Sequence, residues 1–280
     1  MSTSKRYHFG DQIECGAQGK VVSAVDVLKG SSVAIKIFPI GSASEVEAFV
    51  NEYAVHKLMK EKSKRMCSVL DCFQIPNDLG FIVMEKYKQD LFTLAFTNDK
   101  KLSAKSAKKI FQRICRGVRD LHRNGVAHLD IKPENILIDE EGSPFLCDFG
   151  SSYMYKNVAG KELSRKQRST VTDELKGRGT KMYAAPEVFS DKYNPFSADV
   201  FSLGILLYVL VSGLFPMVNN DGLIDLSMAK KKMNHRGFSL LSSMLEVNPE
   251  KRPTIEAILG SKWFSARNSK TSKSRLIPSI

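Results

Sequence analysis

The chain has 280 residues, 42% hydrophobic and 26% charged, with a formal net charge of +12. That balance excludes a disordered chain and leaves room for a large core, as one domain of two lobes or two modest domains. No apolar run reaches the roughly twenty residues of a membrane span, Met1 to His8 lacks the apolar stretch of a secretory signal, and Ser2 in place of glycine argues against myristoylation.

Residues 9–37 read as strands broken by turns. Two glycines, Gly16 and Gly19, separate β-prone segments, Lys29-Gly30-Ser31 is a turn, and Ser32 to Phe38 is the next strand. A helix to about Lys60 follows, with Ser44 and Glu47 as its capping box and Val46, Phe49, Val50, Tyr53, Ala54 and Leu58 as its apolar stripe. Val69–Phe73 and Phe81–Met84 are two further strands.

Sheet character then stops. Gln89–Phe96 reads as a short helix and Ser103–Arg123 as a long one, with Ala107, Ile110, Phe111, Ile114, Val118 and Leu121 on its inner side. A small β-rich lobe therefore precedes a larger helical lobe: about 9–84 and 89–264, joined by residues 85–88. Asp148 to Glu187 is polar and basic, too long for an ordinary connection, and reads as a functional loop. Later helices are expected at Asp199–Val211, Asp225–Lys232, Leu240–Glu246 and Thr254–Leu259, with Phe201–Leu214 buried. Residues 265–280 read as a basic disordered tail.

Five cysteines (Cys15, Cys67, Cys72, Cys115, Cys147) show no CxxC spacing, which points to core thiols in a reducing compartment, cytoplasmic or nuclear, and away from zinc. The basic charge concentrates in Lys156–Arg168 and in the tail (Lys262, Arg267, Lys270, Lys273, Arg275). Without zinc-finger spacing or an RNP-like aromatic motif, a nucleic-acid partner is not expected. Acidic proteins or phosphorylated ligands account for the charge.

The densest chemistry lies in His128-Leu129-Asp130-Ile131-Lys132-Pro133-Glu134-Asn135, followed by Asp148-Phe149-Gly150. This set suits phosphoryl transfer. Asp130 would take the proton of an incoming hydroxyl, Lys132 would balance charge on the moving group, and Asn135 with Asp148 would hold Mg²⁺. The glycines at 16 and 19 let backbone amides approach phosphate oxygens. Lys36, inside an apolar strand, needs an anion; Glu52 is the first choice as its tether and Glu47 the second.

With these residues in order, the sequence resembles the eukaryotic protein kinase superfamily, in the serine/threonine class by its Lys132-Pro133-Glu134-Asn135 form, over residues 9–264. The resemblance implies a bilobal α+β fold, with a small antiparallel β-sheet lobe carrying one main helix and a larger helical lobe. It implies that Ile13, Gly16, Gly19 and Val21 cover ATP, that Ala34, Met84 and Leu137 line the adenine pocket, and that Glu85 to Tyr87 form the hinge. Lys36 paired with Glu52 would contact the α- and β-phosphates, Asp130 would be the catalytic aspartate, and Thr180 would stand beside Asp130 and Lys132. Asn135 and Asp148 would bind Mg²⁺, or Mn²⁺ in its place. Asp199 would brace the catalytic loop, and Glu187 would pair with Arg252. Trp263-Phe264 resembles the calcium/calmodulin-dependent group.

Three features depart from the family pattern: the phosphate loop, Leu129 and the long activation segment. Glu14 stands for the first glycine of the phosphate loop and Gln18 for its tip aromatic. Leu129 replaces the arginine that would receive an activation-loop phosphate, which implies constitutive activity or control by a protein partner. The long loop carries Ser164, Ser169, Thr170 and Thr172 among Arg165, Lys166 and Arg168, and favours acidic or pre-phosphorylated protein substrates. An active serine/threonine kinase is the leading expectation, and a weakly active or inactive kinase-fold scaffold the alternative.

Overall fold

The computed structural model describes residues 6–16, 19–75, 78–97, 102–155, 176–190, 192–219 and 224–265. Gln18, the serines and threonines between 164 and 172, and the tail beyond Ser265 lie outside them.

Strands β1 (Tyr7–Gly16), β2 (Gly19–Asp26), β3 (Ser31–Pro39), β4 (Val69–Ile75) and β5 (Leu79–Glu85) form an antiparallel sheet in the order β1-β2-β3-β5-β4. The period of two sorts their side chains. Val33, Ile35, Ile37, Phe81 and Val83 pack on one face with Tyr7 and Val22. On the other, Phe38, Ile82 and Met84 meet helix α1 (Ala43–Met59) through Phe49. Ala34 and Lys36 share the parity of Phe38, so they face the helix and the cleft beneath it.

Helix α1 corrects two expectations. Its N-cap is Ser42, whose box partner is Glu45, not Ser44 with Glu47. Two Ser-x-x-Glu frames overlap here, and the fold uses the first. The buried face is Phe49, Glu52, Val55, His56 and Met59, whereas Val46 and Val50 are exposed. Two polar residues on the inward stripe shift its apolar pattern by a third of a turn.

The helical part centres on α2 (Ala104–Arg123), capped by Ser103, and α3 (Pro195–Ser212). The six inner residues expected for α2 are all buried. Helix α3 begins four residues before the expected Asp199, because Asn194 accepts from the amides of Phe196 and Ser197 and Pro195 takes the first turn. It is the one helix among the described residues long and apolar enough to cross a membrane, and 94% of it is buried inside the protein. Helices α4 (Ser227–Lys232), α5 (His235–Met244), α6 (Ile255–Leu259) and α7 (Lys262–Ser265) pack around it and α2. Helix α5 lies upstream of the expected Leu240–Glu246 because Asn234 caps it.

The helix expected at Gln89–Phe96 is instead a short strand, β6 (Gln89–Asp90), leading into a π-type turn at Thr93–Thr97. Asp90 accepts the Thr93 amide at 2.7 Å, while its backbone pairs with β8 (Ile136–Ile138). Strands β7 (Val126–Ala127) and β10 (Tyr153–Met154) pair with each other, and β8 pairs with β9 (Pro144–Leu146). The β8–β9 hairpin brings Asn135 and Asp148 to the same end of this three-stranded sheet.

Candidate active site

Asp130 lies in the loop between β7 and β8, where both carboxylate oxygens are engaged. Oδ1 accepts the Thr180 amide at 2.7 Å; Oδ2 accepts Asn135 Nδ2 at 2.8 Å and lies 3.2 Å from Lys132 Nζ. Lys132 also donates to Thr180 Oγ1 at 2.9 Å, and Asn135 donates again to the Asp130 carbonyl at 2.8 Å. The carboxylate is thereby fixed in orientation, and the Asn135 amide oxygen points away from Asp130.

Two buried groups hold this loop from behind. Asp199, on α3, accepts the amides of His128 and Leu129, each at 2.8 Å, and His122 Nε2 at 2.8 Å. His128 accepts the Asp130 amide at Nδ1 (3.3 Å) and donates from Nε2 to the Cys147 carbonyl (3.1 Å). The His128 ring therefore ties Asp130 to the strand that delivers Asp148.

Lys36 is buried and donates to Glu52 at 2.7 Å and to Asp148 at 2.8 Å. Of the two candidate tethers, Glu52 is the one the fold brings to it. Burial works against the Lys36 charge, but Glu52 and Asp148 outweigh it and raise its pKa. Burial pushes the Glu52 carboxyl up to about 7 against the pull of Lys36. Asp148 is also penalised by burial, yet the Lys36 charge and hydrogen bond hold it below the usual carboxylate range. Its backbone is left-handed, with φ of 60°.

The nucleotide-binding candidates gather on the sheet's cleft side. Val21 registers with Lys36, and Ala34 with Met84. Met84, Tyr87, Leu137 and Cys147 share one apolar cluster. Tyr87 turns its ring onto Phe145, with the ring centres 5.0 Å apart. Ile13 is exposed, at a register shift between Gln12 and Glu14. Gly16 pairs with Gly19 to close the turn, and Gly19 has a reason of its own to be glycine: at φ of 137° an added Cβ would run into the Ile37 carbonyl of β3. Glu14 is solvent-exposed at the cleft mouth, where loss of some hydration and then the Asp148 charge raise its carboxyl above the usual range.

The donor set fits a hard divalent cation. Asp148 and Asn135 offer carboxylate and amide oxygens, the ligands Mg²⁺ and Mn²⁺ prefer. Among the described residues no three His, Cys, Asp or Glu side chains cluster as a metal cage.

Sequence reasoning missed two residues of α1. Asn51 donates to the carbonyls of Phe149 (3.3 Å) and Ser152 (2.9 Å), fastening the segment after Asp148. His56 packs edge-on to Phe149 at 4.8 Å, and Phe149 continues to His128 at 5.3 Å. An asparagine and a histidine on a helix carry no apolar signal, so neither stands out from the pattern.

A family model described as a protein kinase domain matches residues 7–264. CBL-interacting serine/threonine-protein kinase 15 of Arabidopsis thaliana is 32% identical over 92% of this chain and 61% of its own length. Serine/threonine protein kinase OSK3 of Oryza sativa is 32% identical over 94% of this chain and 51% of its own length. Serine/threonine-protein kinase pim-2 of Danio rerio is 31% identical over 93% of this chain and 85% of its own length. The chain thus spans little more than half of the two plant relatives and most of the fish one.

Proposed function

The chain belongs to the protein kinase family, and on that premise we propose that it transfers the γ-phosphoryl group of ATP to serine or threonine hydroxyls of proteins. One observation carries the reading: Asp130, Lys132, Asn135 and Thr180 form a closed hydrogen-bonded set, with Lys36 and Asp148 paired beside it.

Asp130, held at both oxygens, keeps a fixed lone pair for the proton of the incoming hydroxyl. Lys132, between Asp130 and Thr180, supplies positive charge where the phosphoryl group moves. Lys36, kept charged by Glu52 and Asp148, holds the α- and β-phosphates. Met84, Ala34, Val21 and Leu137 give the adenine an apolar slot, with Ile13 over its mouth. Asn135 and Asp148 would hold Mg²⁺ or Mn²⁺, which would neutralise phosphate charge at that point.

Glu14 supports a second reading, a weakly active or inactive scaffold, because a carboxylate at the phosphate turn opposes a nucleotide. Radiolabelled transfer from Mg-ATP to a generic protein decides between them. Transfer that falls at least a hundredfold in Asp130→Asn and in Asp148→Asn supports the kinase. An intact fold with neither transfer nor ATP binding favours the scaffold.

Regulation and substrate follow from the departures. Leu129 cannot pair a phosphate, so activity should survive phosphatase treatment, with control falling to a protein partner; some relatives are named as CBL-interacting. Acidic or pre-phosphorylated substrates suit the basic charge. A peptide array led by arginine ahead of the acceptor would overturn that preference.

A further inference from the structure

Behind the catalytic cleft, a second cleft of about 860 Å³ opens between the end of α1, the middle of α2 and β9. Six cations line it (Lys60, Lys62, Lys64, Arg65, Arg113 and Arg116) against a single carboxylate, Glu61. Two of the six are held in place. Arg113 donates to Ser143 Oγ at 2.7 Å, and Arg65 to Asp120 at 2.9 Å, where Ser63 also donates at 2.7 Å. Among the described residues, Lys60, Lys62, Lys64 and Arg116 make no ion pair or side-chain hydrogen bond. Four uncompensated cations around one concavity repel each other and concentrate anions. The floor is apolar, made by Pro144 and a half-buried Phe145.

We propose that this cleft docks an acidic, phosphorylated segment of a partner protein. The open Arg116 fork matches phosphate oxygens in pairs, while the exposed lysines act as point charges for flanking carboxylates. The volume far exceeds one inorganic phosphate, and the Pro144–Phe145 floor gives an aliphatic side chain of a peptide a place to sit. Single-stranded nucleic acid needs open aromatic faces for its bases, whereas the Phe145 ring is packed on Tyr87 at 5.0 Å.

The walls are joined to the parts that hold Lys36. The Leu146 amide donates to the Arg65 carbonyl at 2.9 Å, and the Cys67 amide to the Leu146 carbonyl at 2.8 Å. Gly117 lets α2 approach closely enough that an added Cβ would meet Leu146. Helix α1 carries Glu52, and β9 leads into Asp148. A segment bridging the cleft therefore braces both partners of Lys36 from behind.

The test is fluorescence anisotropy of the full chain with a labelled peptide of glutamate, phosphoserine and leucine. Saturable micromolar binding is expected, weakened at least tenfold by Lys62→Glu with Arg116→Glu. Lys230→Glu with Lys231→Glu on α4 makes the same charge change elsewhere and should alter it less than twofold. If the first pair perturbs folding, the exposed pair Lys60→Gln with Lys64→Gln repeats the test with an expected threefold or greater loss. Equal losses in the cleft and control pairs, or none in either cleft pair, overturn the proposal. So does inositol hexakisphosphate or single-stranded RNA binding the cleft more tightly than the peptide. Repeating the titration on Asp148→Asn separates this binding from catalysis: it should be unchanged even where transfer is lost.

Discussion

Gly179 runs so close to Leu129 that a Cβ on the glycine would overlap the leucine carbonyl oxygen. Both residues are left-handed, with φ of 85° and 62°. The contact seats the next residue, so that the Thr180 amide reaches Asp130 and its hydroxyl accepts from Lys132. Leu129 bears its unusual backbone because its side chain is buried in the core and its amide is held by Asp199.

Gly179→Ala should therefore damage catalysis more than stability. The left-handed backbone costs a non-glycine residue about 1–2 kcal/mol, and the overlap pushes Thr180 away from Asp130. The expected result is a kcat lowered at least tenfold with Tm down by a few degrees. A variant with wild-type kcat would show that the close approach is not needed for turnover.

What the sequence disclosed follows from the range of each interaction. The set at 128–135 is local, and strands on either side of a short hairpin deliver Asp148, so the residues that converge could be named in advance. The α1 face could not. Glu52 could be named as the tether of Lys36, but His56 sits inside because Phe149 is there, and no pattern of apolar residues encodes that. The same holds for Asp90, whose carboxylate caps Thr93 where helix propensity alone continues a helix from Gln89.

Glu52 and His56, one turn apart and both buried, should titrate in opposition. Burial, then the Lys36 charge, lowers His56 to about 3, so its contribution is present above its unfolded value of about 6.5 and is lost as pH falls toward 3. Glu52 is raised to about 7, so its contribution is present below about 4.5 and is lost as pH rises through 7. Between about 4.5 and 6.5 the two nearly cancel. Relative to wild type, His56→Leu should gain about 1 kcal/mol for each pH unit of acidification in that window, and Glu52→Gln should lose a similar amount. Urea unfolding at several pH values reads both slopes; parallel lines for the two variants would refute the opposition.

Asp199 accepts three hydrogen bonds while fully buried. Asparagine keeps its shape but offers one acceptor oxygen and turns an NH₂ toward donors. Asp199→Asn should cost about 2–3 kcal/mol, measured by urea unfolding. Because the amides of His128 and Leu129 position Asp130, kcat should fall with little change in the KM for ATP. A rise in KM alone would place the role of Asp199 elsewhere.

Arg252 offers the sharpest contrast between charge and shape. Its guanidinium donates to both carboxylate oxygens of Glu187, to the carbonyls of Ser197 (3.0 Å), Glu246 (2.8 Å) and Val247 (3.2 Å), and lies 4.9 Å from the Phe201 ring centre. The pair is largely withdrawn from water, so removing one partner strands the other. Arg252→Ala should cost about 3–5 kcal/mol, lowering Tm by roughly 10 °C. Lysine retains the charge but not the planar fork, and Arg252→Lys should recover less than a third of the loss. Glu187→Gln with Arg252→Ala should be more stable than the sum of the single losses, since the buried anion goes with its partner. Glu187 ends the segment that begins at Thr180, so the single variants should also lower kcat through a loosened Thr180. If Arg252→Lys restores both Tm and kcat, the site needs only a positive charge, and the five-fold donor geometry is dispensable.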